Sequence, residues 1–150
     1  MTAKAHAAPE HLHATALALC PEGAGYGVLI EGPSGSGKSA LALELIALGA
    51  VLVADDRTRI ALRDGWPWLF APERLAGVIE ARGIGRLAVP HRPAVPLRLI
   101  VDLAEAEAER LPERRLRDVL GQPVPCIRRV DAPHFAGSIV ALSRGDWWHE

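Results

Sequence analysis

The sequence predicts an α/β domain with a mixed sheet, organised around one phosphate-binding loop. Three observations carry that reading. A short apolar, β-branched run over residues 27–31 leads through a glycine-rich loop into strong helix formers over residues 39–48. Strand and helix signals alternate at first and then mix, as expected of a sheet with parallel and antiparallel pairs. The 150 residues, 49% hydrophobic and 23% charged, supply one packed core and exclude disorder as the main state.

The elements follow in order. Residues 1–11 are rich in Ala, His and Pro without periodicity and read as a loose lead-in, leaving 12–150 as a single domain. Residues 13–19 form a first strand, and Pro21 to Gly25 a turn. The strand 27–31 and the helix 39–48 follow, with Gly49 where a capping glycine belongs. A strand over 51–54 ends in Asp55-Asp56. Residues 59–62 pair with 68–70 around Asp64-Gly65, a hairpin signal, with Trp66 and Trp68 as its packing. Residues 72–79 are expected as a short helix, and Arg82 to Gly85 as a loop. Pro90, Pro93 and Pro96 mark an irregular connection before a strand at 97–103. Residues 104–120 are expected to be helical with a break at Pro112. Asp131 reads as an N-cap, with Pro133 opening a helix through Leu142.

Charge and composition exclude several classes. Seventeen basic against eighteen acidic residues give a net charge of -1, without the basic surplus of a nucleic-acid binder. The arginines between 110 and 117 are interleaved with Glu113 and follow Glu109, the pattern of a solvated face. The longest apolar run, 40–53, is broken by Glu44 and Gly49 and falls short of the roughly 18 residues of a membrane span. Residues 1–10 contain no secretory apolar region, so a cytoplasmic protein is expected. Cys20 and Cys126 match no metal spacing and are expected as reduced core residues.

The sharpest motif is Gly32-Pro33-Ser34-Gly35-Ser36-Gly37-Lys38-Ser39, which fits G-x-x-x-x-G-K-[ST] at every fixed position between a strand and a helix. Glycines let backbone N–H groups converge on phosphate oxygens, and the helix start adds a positive dipole end. Lys38 would reach the β- and γ-phosphates, and the Ser39 hydroxyl would bind Mg²⁺. Asp55 and Asp56 close the next strand, at the sheet edge expected to face the same ligand. Two carboxylates there suit metal binding, water ordering or proton abstraction from an attacking hydroxyl.

Together with Leu12-His13-Ala14 and Glu80-Ala81-Arg82-Gly83-Ile84-Gly85, these stretches resemble the HPr kinase/phosphorylase family, whose signature reads E-x-R-G-[LI]-G. The likeness covers about half the chain and is to the family's catalytic domain, as a short form without the N-terminal domain. It implies a fold like the phosphoenolpyruvate carboxykinase catalytic core. It implies an ATP- and Mg²⁺-dependent serine kinase acting on the phosphocarrier protein HPr, working as a hexamer. By resemblance Asp56 is the base toward the serine hydroxyl, His13 matches the early catalytic histidine, and Arg110 is similar to the catalytic arginine. Mg²⁺ would be held by Ser39 and Glu80, with Asp55 as a further candidate. The family's proline/arginine/glycine-rich C-terminal loop, needed for dephosphorylation, has no match in residues 126–133, so loss of the reverse reaction is expected. Two other readings of the residues stand beside this one: a P-loop kinase of a small metabolite, and a non-catalytic ATP-sensing module.

Overall fold

A computed structural model describes residues 10–149. The chain forms β1 (Glu10–Leu12), β2 (Thr15–Leu19), β3 (Tyr26–Glu31), α1 (Lys38–Ala47), β4 (Val51–Ala54), β5 (Thr58–Arg63) and β6 (Trp66–Phe70). It continues with β7 (Val78–Ala81), β8 (Gly85–Ala88), β9 (Ala94–Ala106), β10 (Arg115–Val119), β11 (Gln122–Arg129) and α2 (Phe135–Arg144). The α/β class and the mixed sheet are as expected. The order across the sheet is β1-β5-β6-β9-β3-β2-β4, with β11 paired to β9 and β10 to β11. β7 and β8 form a separate two-stranded ribbon.

β9, thirteen residues long, is the axis of the fold. Its start pairs antiparallel with β6, and its later residues pair parallel with β3 and β11. The sheet curls about it and buries both faces. On one face Leu45 of α1 and Ile139 of α2 pack over Leu17, Val28, Ile30, Leu99 and Val101. On the other, Leu29, Leu69, Val95, Leu97 and Ile100 close around Ala14, Ala16 and Ala18. β2 shows how the sequence allows this: all five of its residues are buried, with leucines and alanines on opposite faces. The alanines leave room for the sheet to fold over on itself.

Several expectations hold in detail. α1 spans Lys38–Ala47 and ends in a Schellman motif, with Ala50 N–H donating to the Leu45 carbonyl and Gly49 N–H to that of Ile46. The β5–β6 hairpin turns on Asp64 (φ 53°) and Gly65 (φ 77°), both left-handed as a type I′ turn requires. Trp66 Nε1 donates to the Leu97 carbonyl at 2.8 Å, which anchors that hairpin. Both cysteines are free, as expected, but each is only half-buried and neither belongs to the buried core.

Other expectations fail, each for a tertiary reason. Residues 72–79 are not a helix: Ile79 is drawn into the helix-side core as part of β7, and Leu75 adopts φ 61° in the loop before it. Residues 104–120 are not helical either. The Ala/Glu composition favours helix locally, but β9 runs on through Ala106 beside β11, and Glu107 N–H donates to the Arg129 carbonyl. Pro112 sits in the loop that follows, and Arg115–Val119 returns as β10. The β10–β11 turn on Leu120 (φ 50°) and Gly121 (φ 88°) escaped the sequence reading because leucine is a poor predictor of a left-handed turn. Asp131 does not cap α2. It accepts from Arg129 Nε at 2.8 Å, and the N-cap is His134 without a side-chain bond. Of the lead-in, residues 1–9 lie outside the described residues, while Glu10 and His11 pair with β5.

Candidate active site

Strand direction decides where the charged residues meet. β3 and β4 flank β2, and each runs antiparallel to it. They therefore run in the same sense, and their C-terminal ends, Gly32 and Asp55, emerge at one edge of the sheet. β2 starts at that edge with Thr15, opposite Ile30, and His13 comes just before it. The phosphate loop, the aspartate pair and the histidine are thus gathered by topology.

The loop is closed by a hydrogen bond from Ser36 N–H to the Pro33 carbonyl at 3.0 Å. α1 begins after Gly37 (φ 100°) with no side-chain cap and no acid in its first turn, so its leading N–H groups are left for an anion. Lys38 is buried, and Nζ donates to the carbonyls of Gly32 (2.8 Å) and Pro33 (3.3 Å), spanning the loop. Gly32 allows the close fit: a Cβ there would lie 2.5 Å from Ser36 Oγ and 3.1 Å from Leu103 Cβ. Ser36 Oγ is buried without a hydrogen-bond partner, an orphan within the loop itself.

The two aspartates have different partners. Asp55 Oδ1 accepts from Ser39 Oγ at 2.9 Å and from Thr15 Oγ1 at 3.1 Å. Its Oδ2 faces the Glu80 N–H at 3.4 Å. Asp56 sits at φ 67°, a strained backbone for a non-glycine residue, and its N–H donates to Thr15 Oγ1 at 3.1 Å. Asp56 Oδ1 lies 3.1 Å from His13 Nε2, and both side chains are more than half exposed. Asp55 is thus bound into the fold, while Asp56 faces solvent beside a histidine. Thr15, fully buried, serves both aspartates. Sequence reasoning missed it, because only the β2–β4 pairing brings it to them.

These groups line a cleft of about 510 Å³ whose walls include Ser34, Lys38, Ser39, Asp55, Asp56, Glu80 and Arg82. Asp55, Asp56 and Glu80 face Lys38 and Arg82, so acids outnumber fixed cations. A divalent cation would offset the repulsion between these carboxylates and an anionic ligand. Ser39 Oγ, Asp55 and Glu80 offer the hard oxygens Mg²⁺ takes. Among the described residues no three His, Cys, Asp or Glu side chains form a metal cage.

Arg110 is not in this cleft. It lies on the loop after β9 and lines a second cavity of about 500 Å³, walled by Ile127, Phe135, Ile139, Leu142 and Trp147. The similarity around Glu109-Arg110-Leu111-Pro112 was local, and the failure of the expected helix carries the residue elsewhere. Arg82, which with Glu80, Gly83 and Gly85 reads in the sequence as a ligand loop, lines the phosphate cleft.

Comparison with known proteins agrees with this geometry. Residues 6–118 match the family described as HPr Serine kinase C-terminal domain. The HPr kinase/phosphorylase of Bordetella petrii is 42% identical over 131 residues, covering 79% of this chain and 42% of that protein. Its namesake from Leptothrix cholodnii is 42% identical over 118 residues, covering 67% of this chain and 35% of that one. The chain thus spans about two fifths of the length of the curated relatives it matches. The fold superposes on the Hpr(Ser) kinase/phosphatase of Coxiella burnetii with a TM-score of 0.73 at 27% identity, covering 90% of this chain and 88% of that one. With its phosphate loop, aspartate pair and signature hairpin at one sheet edge, the chain belongs to the HPr serine kinase C-terminal domain family.

Proposed function

We propose that the chain is a protein serine kinase that transfers the γ-phosphoryl group of Mg²⁺-bound ATP to a serine of HPr. The observation that carries the reading is Asp56. It is a partly exposed carboxylate on a strained backbone, beside a histidine, in the same cleft as the phosphate loop. An ATP sensor needs the phosphate cradle but no such base.

The residues divide the work. The N–H groups of the loop and α1 receive the phosphates, and Lys38 exchanges its carbonyl partners for phosphate oxygens. Bound Mg²⁺ offsets phosphate charge; Ser39, Asp55 and Glu80 are the residues that would hold it. Asp56 accepts the serine proton as the serine oxygen bonds to the γ-phosphorus and the bond to the β-γ bridging oxygen breaks, releasing ADP. His13 steadies the Asp56 carboxylate through their 3.1 Å contact. The chemistry needs positioning and charge neutralisation rather than a covalent intermediate, which is what these residues offer.

Labelled ATP and Mg²⁺ are incubated with the protein and HPr, with a small-metabolite mixture, and with neither. Label recovered on a serine of HPr is the expected result. Label on a small molecule, or none anywhere, would refute the assignment.

A further inference from the structure

We propose that the outer face of the β5–β6 hairpin, completed by Arg98 of β9, is a docking surface for an acidic, extended segment of a partner protein. Strand pairing builds this face in layers. Arg59 stands opposite Phe70, Ala61 opposite Trp68 and Arg63 opposite Trp66, so the six share one side of the sheet. Ile60 and Leu69 alternate with them and are buried on the other side, in the core with Val95 and Leu97. Trp68 is in turn opposite Pro96 of β9, and Arg98, further along that strand, brings its guanidinium to 5.2 Å from the Trp66 ring.

The arginines rest on the rings and have no acid to meet. Arg63 Cζ lies 4.3 Å from the centre of the Trp68 ring and 5.0 Å from that of Phe70, and Arg59 Cζ lies 5.3 Å from Phe70. A guanidinium stacked in this way is held in place with its N–H edge left for another partner. No Asp or Glu occurs in β5, in β6 or in β9 as far as Arg98. Among the described residues none of the three arginines makes an ion pair, and neither does Asp64, next to Arg63 in the turn. Arg115, Arg117 and Arg129 do pair, with Glu107, Glu31 and Asp131. Arg59 Nε is buried with no hydrogen-bond partner.

Charge complementarity selects an acidic occupant, and two further points select a protein segment. Tryptophan, phenylalanine and arginine together are the composition of protein-interface hot spots. The chain's net charge of -1 gives it no long-range attraction for a polyanion such as a nucleic acid. The complement is therefore a few carboxylates at a matched spacing. Arg59 and Arg63 lie on one strand, about 13 Å apart at the rise of an extended chain, which is the separation of side chains four residues apart on a partner strand. Each guanidinium fork can take a carboxylate through two hydrogen bonds.

The test measures fluorescence anisotropy of labelled probes with the full chain in the absence of nucleotide, so its outcome does not depend on the kinase reading. The probes are a ten-residue peptide alternating Glu and Thr, its Lys-Thr counterpart, and a ten-nucleotide oligouridylate. The Glu-Thr peptide is expected to bind, the Lys-Thr peptide not to bind, and the oligouridylate to bind at least tenfold more weakly than the Glu-Thr peptide. Arg63→Glu and Arg98→Glu should each weaken the Glu-Thr peptide at least tenfold, and Arg63→Lys should keep part of the affinity. Arg144→Glu, the same change of charge on α2, should alter it less than twofold. Arg63 and Arg98 are exposed and have no ion pair to lose, so these variants are expected to fold. Absence of binding by the Glu-Thr peptide, or equal binding by the native chain and Arg63→Glu, would overturn the proposal. Equal losses from Arg144→Glu and Arg63→Glu would reduce it to net charge and overturn it too. Tighter binding of the oligouridylate, or a dimer of the free chain that Arg63→Glu disperses, would give the face to a nucleic acid or to a second copy instead.

Discussion

Two cavities of nearly equal volume lie in this chain, and they are built in opposite ways. The phosphate cleft, at about 510 Å³, gathers Lys38, Ser39, Asp55, Asp56, Glu80 and Arg82 at one sheet edge. The second cavity, at about 500 Å³, has an apolar wall from β11, α2 and Trp147, and several of the charged residues on its rim have partners. There Arg115 pairs with Glu107 at 2.6 Å, Arg114 stacks over Trp147 at 5.6 Å, and Arg128 lies 3.9 Å from Glu105. The cleft leaves a lysine spanning its own loop and, among the described residues, an arginine without an ion pair. Size does not separate the two; the chemistry of their walls does, a converging polar set in one and an apolar wall in the other.

Substitutions in the two cavities should therefore diverge. Lys38→Ala is expected to cost about 10²–10³-fold in kcat/KM, because it removes a cation from the phosphates. Arg110→Ala, one cavity away, should change kcat/KM by less than about threefold. A large loss from Arg110→Ala would break the contrast and restore the residue to the active site. Steady-state kinetics on the two variants decides it.

A smaller effect concerns acid. The Arg115 hydrogen bond, with help from the Glu109 N–H, holds the Glu107 carboxyl down to about 2. A carboxylate lowered in the folded state contributes stability that is complete above its ordinary value, near 4.5, and is lost as pH falls toward 2. Thermal midpoints measured between pH 5 and 2 should fall less steeply for Glu107→Gln than for the native chain. Parallel curves would show that the pair does not anchor the loop.

The smallest effect is a titration that leaves function untouched. Tyr26, the single tyrosine, sits at the far end of the strand that leads into the phosphate loop. Burial, reinforced by Asp146, pushes its phenol up to about 12. Ultraviolet titration should place ionisation near that value, with stability present below pH 10 and declining above it, as the unfolded phenol ionises first. Ionisation near 10 would mean that this end of β3 is open to water.

The contrast also explains what could be read in advance. The phosphate loop and the Asp55-Asp56 strand end are local patterns, since glycine spacing and an apolar run before a carboxylate pair need no distant partner to be recognised. Thr15 and the β7 ribbon depend on pairings across the sheet. Residues 104–120 have a helical composition, overridden by the parallel β9–β11 pair and the β10–β11 hairpin. Arg110 lies on the loop between β9 and β10 and lines the second cavity. Its neighbours in sequence match the motif, but the backbone beneath them is a loop between two strands rather than a helix.

The central claim is that Asp56 takes a proton in a cleft whose nucleotide is held by other residues. Single-turnover transfer from labelled ATP to HPr, measured beside nucleotide affinity for the native protein and Asp56→Asn, tests it most directly. The account predicts unchanged nucleotide affinity and transfer slowed about 10²–10⁴-fold. Transfer by Asp56→Asn at the native rate would contradict it.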